Sequence, residues 1–489
     1  MLVGRRAAHA DYTPPEHVQT AFDAGLKLLL GRGLVIRLVT WSTTIATLRF
    51  VVPADLGVLV VVQALFGITG LLAEWGYTSY LIRRRAPPQP TELAAFGSAQ
   101  LAVAVIVVAA IATAPSSLLE SWLGVSGAKP LLVAVALGQA AAYGQNGSRA
   151  ILEREMNFAV LARVDVAMVL VLNVSLMIAA ILGQFVGGIP VAMVLAQLIG
   201  TAIFVLHVPR AWRLAPNLRP LRDGLRDASA FAAKGLVDTL NRSVLPLAIG
   251  TVFGLAILGW WSVAARFGQA NLVVFESFWR AGFPAASRLA HDPLKLDELT
   301  ESSFRRALRL STPIALLIVI GAPVLALLFP LWAPAIVAAQ VWSLGYAAVG
   351  SVTAALAPRQ VALAGPRILV IEAASVFVTA VGLILLLRGW PSTLAVALVY
   401  VGCSTASVVV LFLSAGRRVV RVLMAYAVIE LGILLVVGFA VVLGSWWGNG
   451  ALPIVAATAG LALQLVVRRA SISWLGLRRT ASPRPSEDP

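Results

Sequence analysis

The ionisable side chains inside long apolar stretches of this chain include Arg32, Arg37, Arg49, Glu74, Lys234, Asp238, Arg242, Arg266, Glu276, Arg280, Glu372 and Glu430. A charge held in hydrocarbon is costly, so it faces a partner or a water-filled cavity. Two chemistries fit the pattern. The pairs Arg37–Glu74 and Arg242–Glu276 are either buried ion pairs that hold helices together, or parts of a cationic cavity. Such a cavity receives an anionic head group while the carboxylates rearrange. Arginine suits a diphosphate, because its planar fork makes two parallel, charge-assisted hydrogen bonds. Arg32, Arg49 and Lys234 lie near the ends of their stretches and are able to snorkel. Arg266 is the hardest to explain that way.

Bond-making chemistry has little support. The chain has one cysteine, Cys403, and four histidines, so disulfide scaffolds and structural zinc sites are excluded. No Gly-x-x-x-x-Gly-Lys-Ser/Thr loop occurs, which removes nucleotide-driven transport. No catalytic residue, metal site or cofactor is assigned. Glu372 and Glu430 are single acids, either ion-coupling groups or hydrogen-bonded structural ones.

The elements that must position these charges are transmembrane helices. The 489 residues are 59% apolar and 12% charged. The mean hydropathy is +0.89. A soluble chain would carry about 25% charged residues. Fourteen apolar segments are long enough to cross the bilayer as helices: 28–50, 58–82, 93–114, 130–147, 161–183, 187–207, 232–254, 258–283, 308–329, 333–356, 364–387, 392–414, 421–443 and 450–468. They lack the alternation of barrel strands. The fold expected is all-α and integral to the membrane.

The net charge of +16 raises the possibility of a nucleic-acid partner, but its distribution excludes one. The connections on one side of the fourteen spans, with both termini, hold 24 cations; the other side holds Lys129 and Arg388. The positive-inside bias makes the first side, and both termini, cytoplasmic. Trp122, Trp260, Trp261, Trp332, Trp390, Trp446 and Trp447 then form an aromatic belt at the outer interface. Residues 1–27 are a polar cytoplasmic segment without the pattern of a signal peptide. The basic linker 208–231 is expected to lie on the membrane surface. The tail 469–489 is expected to be disordered.

The chain also matches itself. Shifted by 202 residues, positions 33–76 give ten identities, among them Gly33 on Gly235, Gly57 on Gly259 and Glu74 on Glu276. This predicts a parallel repeat of two six-helix lobes, 28–207 and 232–414, with two extra helices in 415–468. By the rise of a helix, Arg37, Glu74, Asp238, Arg242 and Glu276 all fall within about 9–15 Å of the inner ends of their spans. Arg266 lies higher, about 26 Å up.

Three stretches carry a resemblance to a known family. LRFVVPADLGVLVVVQALFGITGLLAEWGYTSYLIRR, in 48–84, has a Pro-acidic-Leu-Gly turn, a span, and a Gly-aromatic segment ending in basic residues. AILEREMNFAVLARVDV, 150–166, has an Arg-Glu-x-x-Phe connection after span 4. The third stretch is 250–290, with Phe283-Pro284 and Ser287-Arg288-Leu289 at the end of span 8. Together they resemble the bacterial lipid-linked oligosaccharide flippases of polysaccharide biosynthesis. These belong to the multidrug, oligosaccharidyl-lipid and polysaccharide exporter superfamily. Trp260-Trp261 stands where a tyrosine is commoner in that family.

The resemblance implies a flippase that moves a polyprenyl-diphosphate-linked oligosaccharide from the inner to the outer leaflet of the bacterial cytoplasmic membrane by alternating access. For such a substrate, the membrane-embedded charges make Arg37, Arg242 and Arg266 the expected contacts of the anionic head group, with Arg32, Lys234 and Arg49 beside them. Glu74, Asp238 and Glu276 would pair and gate. The partners implied are the lipid-linked glycan and membrane lipids, with a polysaccharide polymerase or glycosyltransferase as a further candidate. The multidrug branch often places a carboxylate in span 1; here span 1 carries Arg37 and no acid, which favours a lipid phosphate over a cationic drug. An ion-coupled antiporter of the same fold stays open as the alternative, and a membrane glycosyltransferase behind it.

Overall fold

The computed structural model describes residues 15–83, 88–155, 157–215, 217–222, 224, 239, 243–364, 367–389, 392–414, 430, 432–441, 443–444 and 451–464. Among these residues every regular element is helical. The first half holds α1 (Pro15–Thr47), α2 (Pro53–Glu74), α3 (Tyr77–Arg83), α4 (Pro90–Thr113), α5 (Ser116–Leu123), α6 (Ala128–Ala141), α7 (Gln145–Arg154), α8 (Phe158–Ile181) and α9 (Phe185–His207). The second holds α10 (Leu245–Phe253), α11 (Leu255–Gly268), α12 (Leu272–Leu289), α13 (Pro293–Leu328), α14 (Ala333–Ala364), α15 (Arg367–Leu387) and α16 (Thr393–Ser414).

Six of the described helices are long and apolar enough to cross a membrane, and the pair α5–α6, bent by 90°, adds a seventh candidate. Other predicted spans are shorter here or broken. Gly124 (φ 66°) and Gly127 (φ 77°) make the corner between α5 and α6, a backbone shape that glycine adopts without strain. The Glu120 carboxylate accepts the Gly127 N–H there at 2.9 Å. The predicted span 130–147 stops at Ala141, turns, and restarts as α7. The predicted span 258–283 is α11 and α12 joined by a 3-10 turn, Gln269–Asn271. Predicted span 7 is described at 239 and 243–254, which hold α10, and predicted span 13 at 430, 432–441 and 443; the rest of each lies outside the described residues.

Polar groups inside the apolar helices are satisfied locally. Thr40, Thr43 and Thr44 donate to the carbonyls of Ile36, Val39 and Thr40, one turn back. Proline opens α2, α4 and α13, at the first turn where no N–H is needed. Outside the apolar part of α13, Asp292 caps that helix by accepting the Lys295 N–H at 3.2 Å, which holds its carboxyl below the usual range.

Within the first half α1 packs on α8, α8 on α9, and α6 on both α4 and α9; in the second, α14 is the hub for α11, α12, α13 and α16. The halves meet along two helix pairs, α2 on α11 and α1 on α12. One apolar cluster crosses that seam, with Leu56, Leu59 and Val62 of α2 against Leu258 and Val263 of α11. At the seam Gly57 lies against the Leu255 carbonyl and Gly259 against the Pro53 carbonyl, with no room for a side chain at either.

Two tryptophans of the expected outer belt are core residues instead. Trp332 is 1% exposed, and its indole N–H donates to the Leu48 carbonyl at 2.9 Å. Trp261 is buried beside Trp342, ring centres 5.6 Å apart. Both face the α11–α14 packing, where a large apolar ring gains more than at an interface. Trp122 and Trp260 keep exposed surface, and Trp260 donates to the Leu331 carbonyl. Trp390, Trp446 and Trp447 lie outside the described residues.

Candidate functional site

The burial of α2 changes halfway along. From Pro53 to Phe66 most residues are buried; from Gly67 to Glu74 none is. α1 follows the same gradient, with Thr44, Thr47 and Leu48 buried and residues 31–43 open or half-open. The halves pack most tightly near Leu48–Pro53; further along, they still touch at Gly33 against Val273 and Gly67 against Ser243. The less buried stretches, 31–43 of α1 and 67–74 of α2, carry Arg32, Arg37 and Glu74.

α1 sorts its three arginines by helical phase. Arg37 and Thr44 are seven residues apart and share a face; Arg32 points about 140° away from Arg37. The shared face meets the second half of the chain. Glu276 of α12 is an exposed carboxylate, and its charge reaches Arg37. About 10 Å further along the α1 axis, the Arg266 guanidinium donates to the Thr44 hydroxyl at 2.7 Å. The Arg266 carbonyl accepts the Trp41 indole N–H at 2.8 Å, and the Trp41 and Phe267 rings pack 5.8 Å apart. Among the described residues no carboxylate pairs with Arg266. An arginine held by a neutral hydroxyl keeps most of its capacity to bind an oxyanion.

Arg32 belongs to a separate cluster inside the first half. It donates to one oxygen of Asp165 on α8, while Arg149 on α7 donates to the other oxygen at 2.9 Å. Arg149 also stands over the Phe204 ring, 5.9 Å from its centre. Glu74 sits beside Thr78 and within reach of the Arg149 and Glu153 charges. The six arginines and lysines expected at the site thus divide. Arg37 and Arg266 line the seam, Arg32 ties α1 to α8, and Arg49 is exposed in the turn after α1. Lys234, Asp238 and Arg242 lie outside the described residues, so the expected Arg242–Glu276 pair falls there too. The expected Arg37–Glu74 pairing is replaced by Arg37 facing Glu276, because Arg37 looks across the seam and Glu74 looks into its own half.

Asp165, Arg149 and Thr44 were not singled out by sequence. Asp165 sits one turn inside an apolar span, at the depth of Arg32, and that placement is the signal that would have found it. Arg149 reads as an ordinary loop cation until α7 turns it inward. Glu430 accepts from Gln464 at 2.7 Å, a structural hydrogen bond between two late helices. The side chain of Glu372 is not among those described. The described residues contain no group of three or more potential metal ligands.

A model of the family described as polysaccharide biosynthesis protein matches residues 47–337. Among solved structures, the lipid II flippase MurJ in its inward closed conformation superposes with a TM-score of 0.67 at 13% identity, over 94% of this chain and 99% of that one. An inward-facing multidrug resistance MATE transporter of the MOP superfamily gives 0.53 at 16% identity, over 82% and 94%. At such identities these likenesses show a shared fold. No curated protein sequence matches the chain.

Proposed function

The chain belongs to the polysaccharide biosynthesis protein family, and from that membership we propose that it is a flippase for a polyprenyl-diphosphate-linked oligosaccharide, moving it from the inner to the outer leaflet. The observation that carries the reading is the α1 seam face. It sets Arg37 and, about 10 Å further along, Arg266 on one path between the halves. Two separated guanidinium stations suit a travelling diphosphate better than a fixed structural pair does.

The steps follow from the contacts. In this reading the halves part at the Arg37 end to admit the head group while the tighter seam at the Arg266 end stays closed. A diphosphate entering beside Arg37 displaces the attraction of Glu276. Closing the entry end and opening the other separates α1 from α11, which breaks the Arg266–Thr44 hydrogen bond and frees that guanidinium for the anion. The sugars travel in the polar cleft, because their hydroxyls lose hydrogen bonds in hydrocarbon. The polyprenyl chain stays in lipid. The 3-10 turn Gln269–Asn271 interrupts the helix between Arg266 and Glu276, a place where a span bends readily. No bond is made or broken. Arg242, Asp238 and Lys234 extend the same path in this reading, and Arg32 and Glu74 support it from inside the first half.

The reading includes fourteen spans, both termini cytoplasmic, in the bacterial cytoplasmic membrane. It also includes the parallel repeat of lobes 28–207 and 232–414. The two glycine contacts support that repeat: Gly57 on Leu255 and Gly259 on Pro53 exchange places under the 202-residue shift. A two-fold relation between lobes produces such a reciprocal pair.

The test is the sidedness of lipid-linked glycans in membranes depleted of this protein, probed with an impermeant sugar-modifying enzyme in intact and opened vesicles. Accumulation on the cytoplasmic face is expected, and the composition of the trapped lipid names the glycan. Normal delivery to the outer face overturns the reading.

A further inference from the structure

We propose that a small cavity inside the first half, bounded by α2, α4, α6 and the start of α7, is a subsite for the acetamido group of an N-acetylated sugar. The proposal rests on the flippase reading and names a feature of its substrate. The observation behind it is Gln100. This side chain on α4 is 2% exposed, and neither its Nε2 nor its Oε1 finds a hydrogen-bond partner among the described residues. It lines the cavity. A buried amide left unpaired in an apolar helix is unfavourable unless something else completes it.

The surroundings define what that something is. The walls near Gln100 are Phe66, Val103, Ala104, Val107 and Ala136, all apolar. The remaining polar groups are neutral: Thr69, Gln139, Tyr143 and Asn146. Tyr143 donates its hydroxyl proton to the Trp212 carbonyl at 2.7 Å, so towards the cavity it is an acceptor. No charged side chain lines the space, which argues against a cation, a proton-coupling acid or a phosphate. The free space is about 60 Å³. One water needs roughly 10–15 Å³ by this measure, so about four to six water-sized groups fit.

An acetamido group has four heavy atoms and matches each feature. In a trans acetamido group the carbonyl and the N–H point opposite ways, so the carbonyl accepts from Gln100 Nε2 while the N–H donates to another neutral acceptor of the lining, Thr69, Gln139, Tyr143 or Asn146. Its methyl fills the aliphatic wall. The sugar ring is too large to enter and stays at the mouth, where Gln139 and Asn146 offer donors and acceptors to its hydroxyls. A site that pairs a substrate N–H and C=O discriminates strongly against sugars that lack them, because the buried amide is then left unpaired.

The test is saturation-transfer NMR on the full chain in lipid nanodiscs, with N-acetylglucosamine and glucose as probes. The acetyl methyl is expected to be the most strongly saturated proton of N-acetylglucosamine. That preference is expected to vanish in Gln100→Leu, and also in Ala104→Leu, which fills the cavity from its wall without touching the amide. If Gln100→Leu does not fold, Ala104→Leu decides alone. A methyl no more saturated than the ring protons, or a preference unchanged in the folded variants, overturns the subsite and leaves water as the partner of Gln100. The same preparation is assayed for glycan-lipid sidedness. Flipping without a methyl preference rejects the subsite alone, whereas a methyl preference without flipping rejects the transport reading and keeps the subsite.

Discussion

Gly57 and Gly259 hold the two halves together by having no side chain: each lies under a backbone carbonyl of the other's helix, Gly57 under Leu255 and Gly259 under Pro53. Helices approach this closely only where a Cβ is missing. The contact sits at the most tightly packed part of the seam, next to buried Leu56 and Leu258. It is therefore a contact that must part if the molecule is to open on that side.

Gly57→Val and Gly259→Val are expected to act alike, since their surroundings are reciprocal. Each forces α2 and α11 apart at a cost of about 1–3 kcal/mol. The predicted result is a protein that inserts normally, rests with its Leu48–Pro53 end open, and loses most of its transport. Spin-label distances between α2 and α11 check this. A change in only one of the two variants would count against the two-fold relation.

Asp165→Asn is expected to loosen the first half. Asp165 accepts from Arg32 and Arg149 at once, with 13% of its side chain exposed. Removing the shared acceptor leaves two half-buried guanidinium groups competing for a neutral amide. Losing one partner of a fully buried pair costs about 3–5 kcal/mol; partial exposure of the arginines lowers this to about 1–3. Unfolding in mild detergent measures it. Arg32→Ala combined with Asp165→Asn is expected to cost less than the sum of the two single changes, because one removal already undoes the shared interaction.

The sequence makes α1, α2, α4, α8 and α9 readable, because long apolar runs bounded by proline, glycine or arginine admit little else. It also points to Glu276 and Arg266 as unusual. What it does not contain is facing. Arg32 and Arg37 look equivalent in a list of charges, and only the 140° between them on α1 sends one to Asp165 and the other across the seam. Trp332 and Trp261 read as interface residues because they flank apolar runs, yet the α11–α14 packing takes both inside. The break after Ala141 and the 3-10 turn after Gly268 are hidden for the same reason. A hydropathy run has the same average whether its helix is straight or broken.

Arg37→Ala and Arg266→Ala are expected to slow flipping at unchanged abundance, by different amounts in the two halves of the cycle. A charge-assisted hydrogen bond contributes about 1.5–3 kcal/mol, which corresponds to roughly ten- to a hundredfold in rate. Arg37→Ala is expected to weaken loading of the lipid diphosphate from the inner leaflet. Arg266→Ala is expected to leave loading intact and slow release. Arg266→Lys should restore part of the rate as a point charge without the planar fork. Lipid-linked substrate binding measured beside flux separates the two effects, and wild-type flux in both alanine variants rejects the anion path.

The membrane orientation can be read with two introduced cysteines, because the native thiol is silent: Cys403 is 4% exposed and packed under the Val376 carbonyl. Arg49 is exposed in the turn between α1 and α2. Arg210 is exposed just past α9, in an ion pair with Glu155 whose side chains are both about half in solvent. An exposed pair of that kind contributes only about 0–1 kcal/mol, so either arginine can be replaced without unfolding the chain. With an impermeant maleimide, Arg49→Cys is expected to react in intact cells, and Arg210→Cys only after the membrane is opened. The cation distribution requires that result, since the Arg49 end is the poorly charged side. The reverse labelling would invert the whole cycle: the tightly packed Leu48–Pro53 end would face the cytoplasm, and Arg266 rather than Arg37 would be the station that receives the diphosphate.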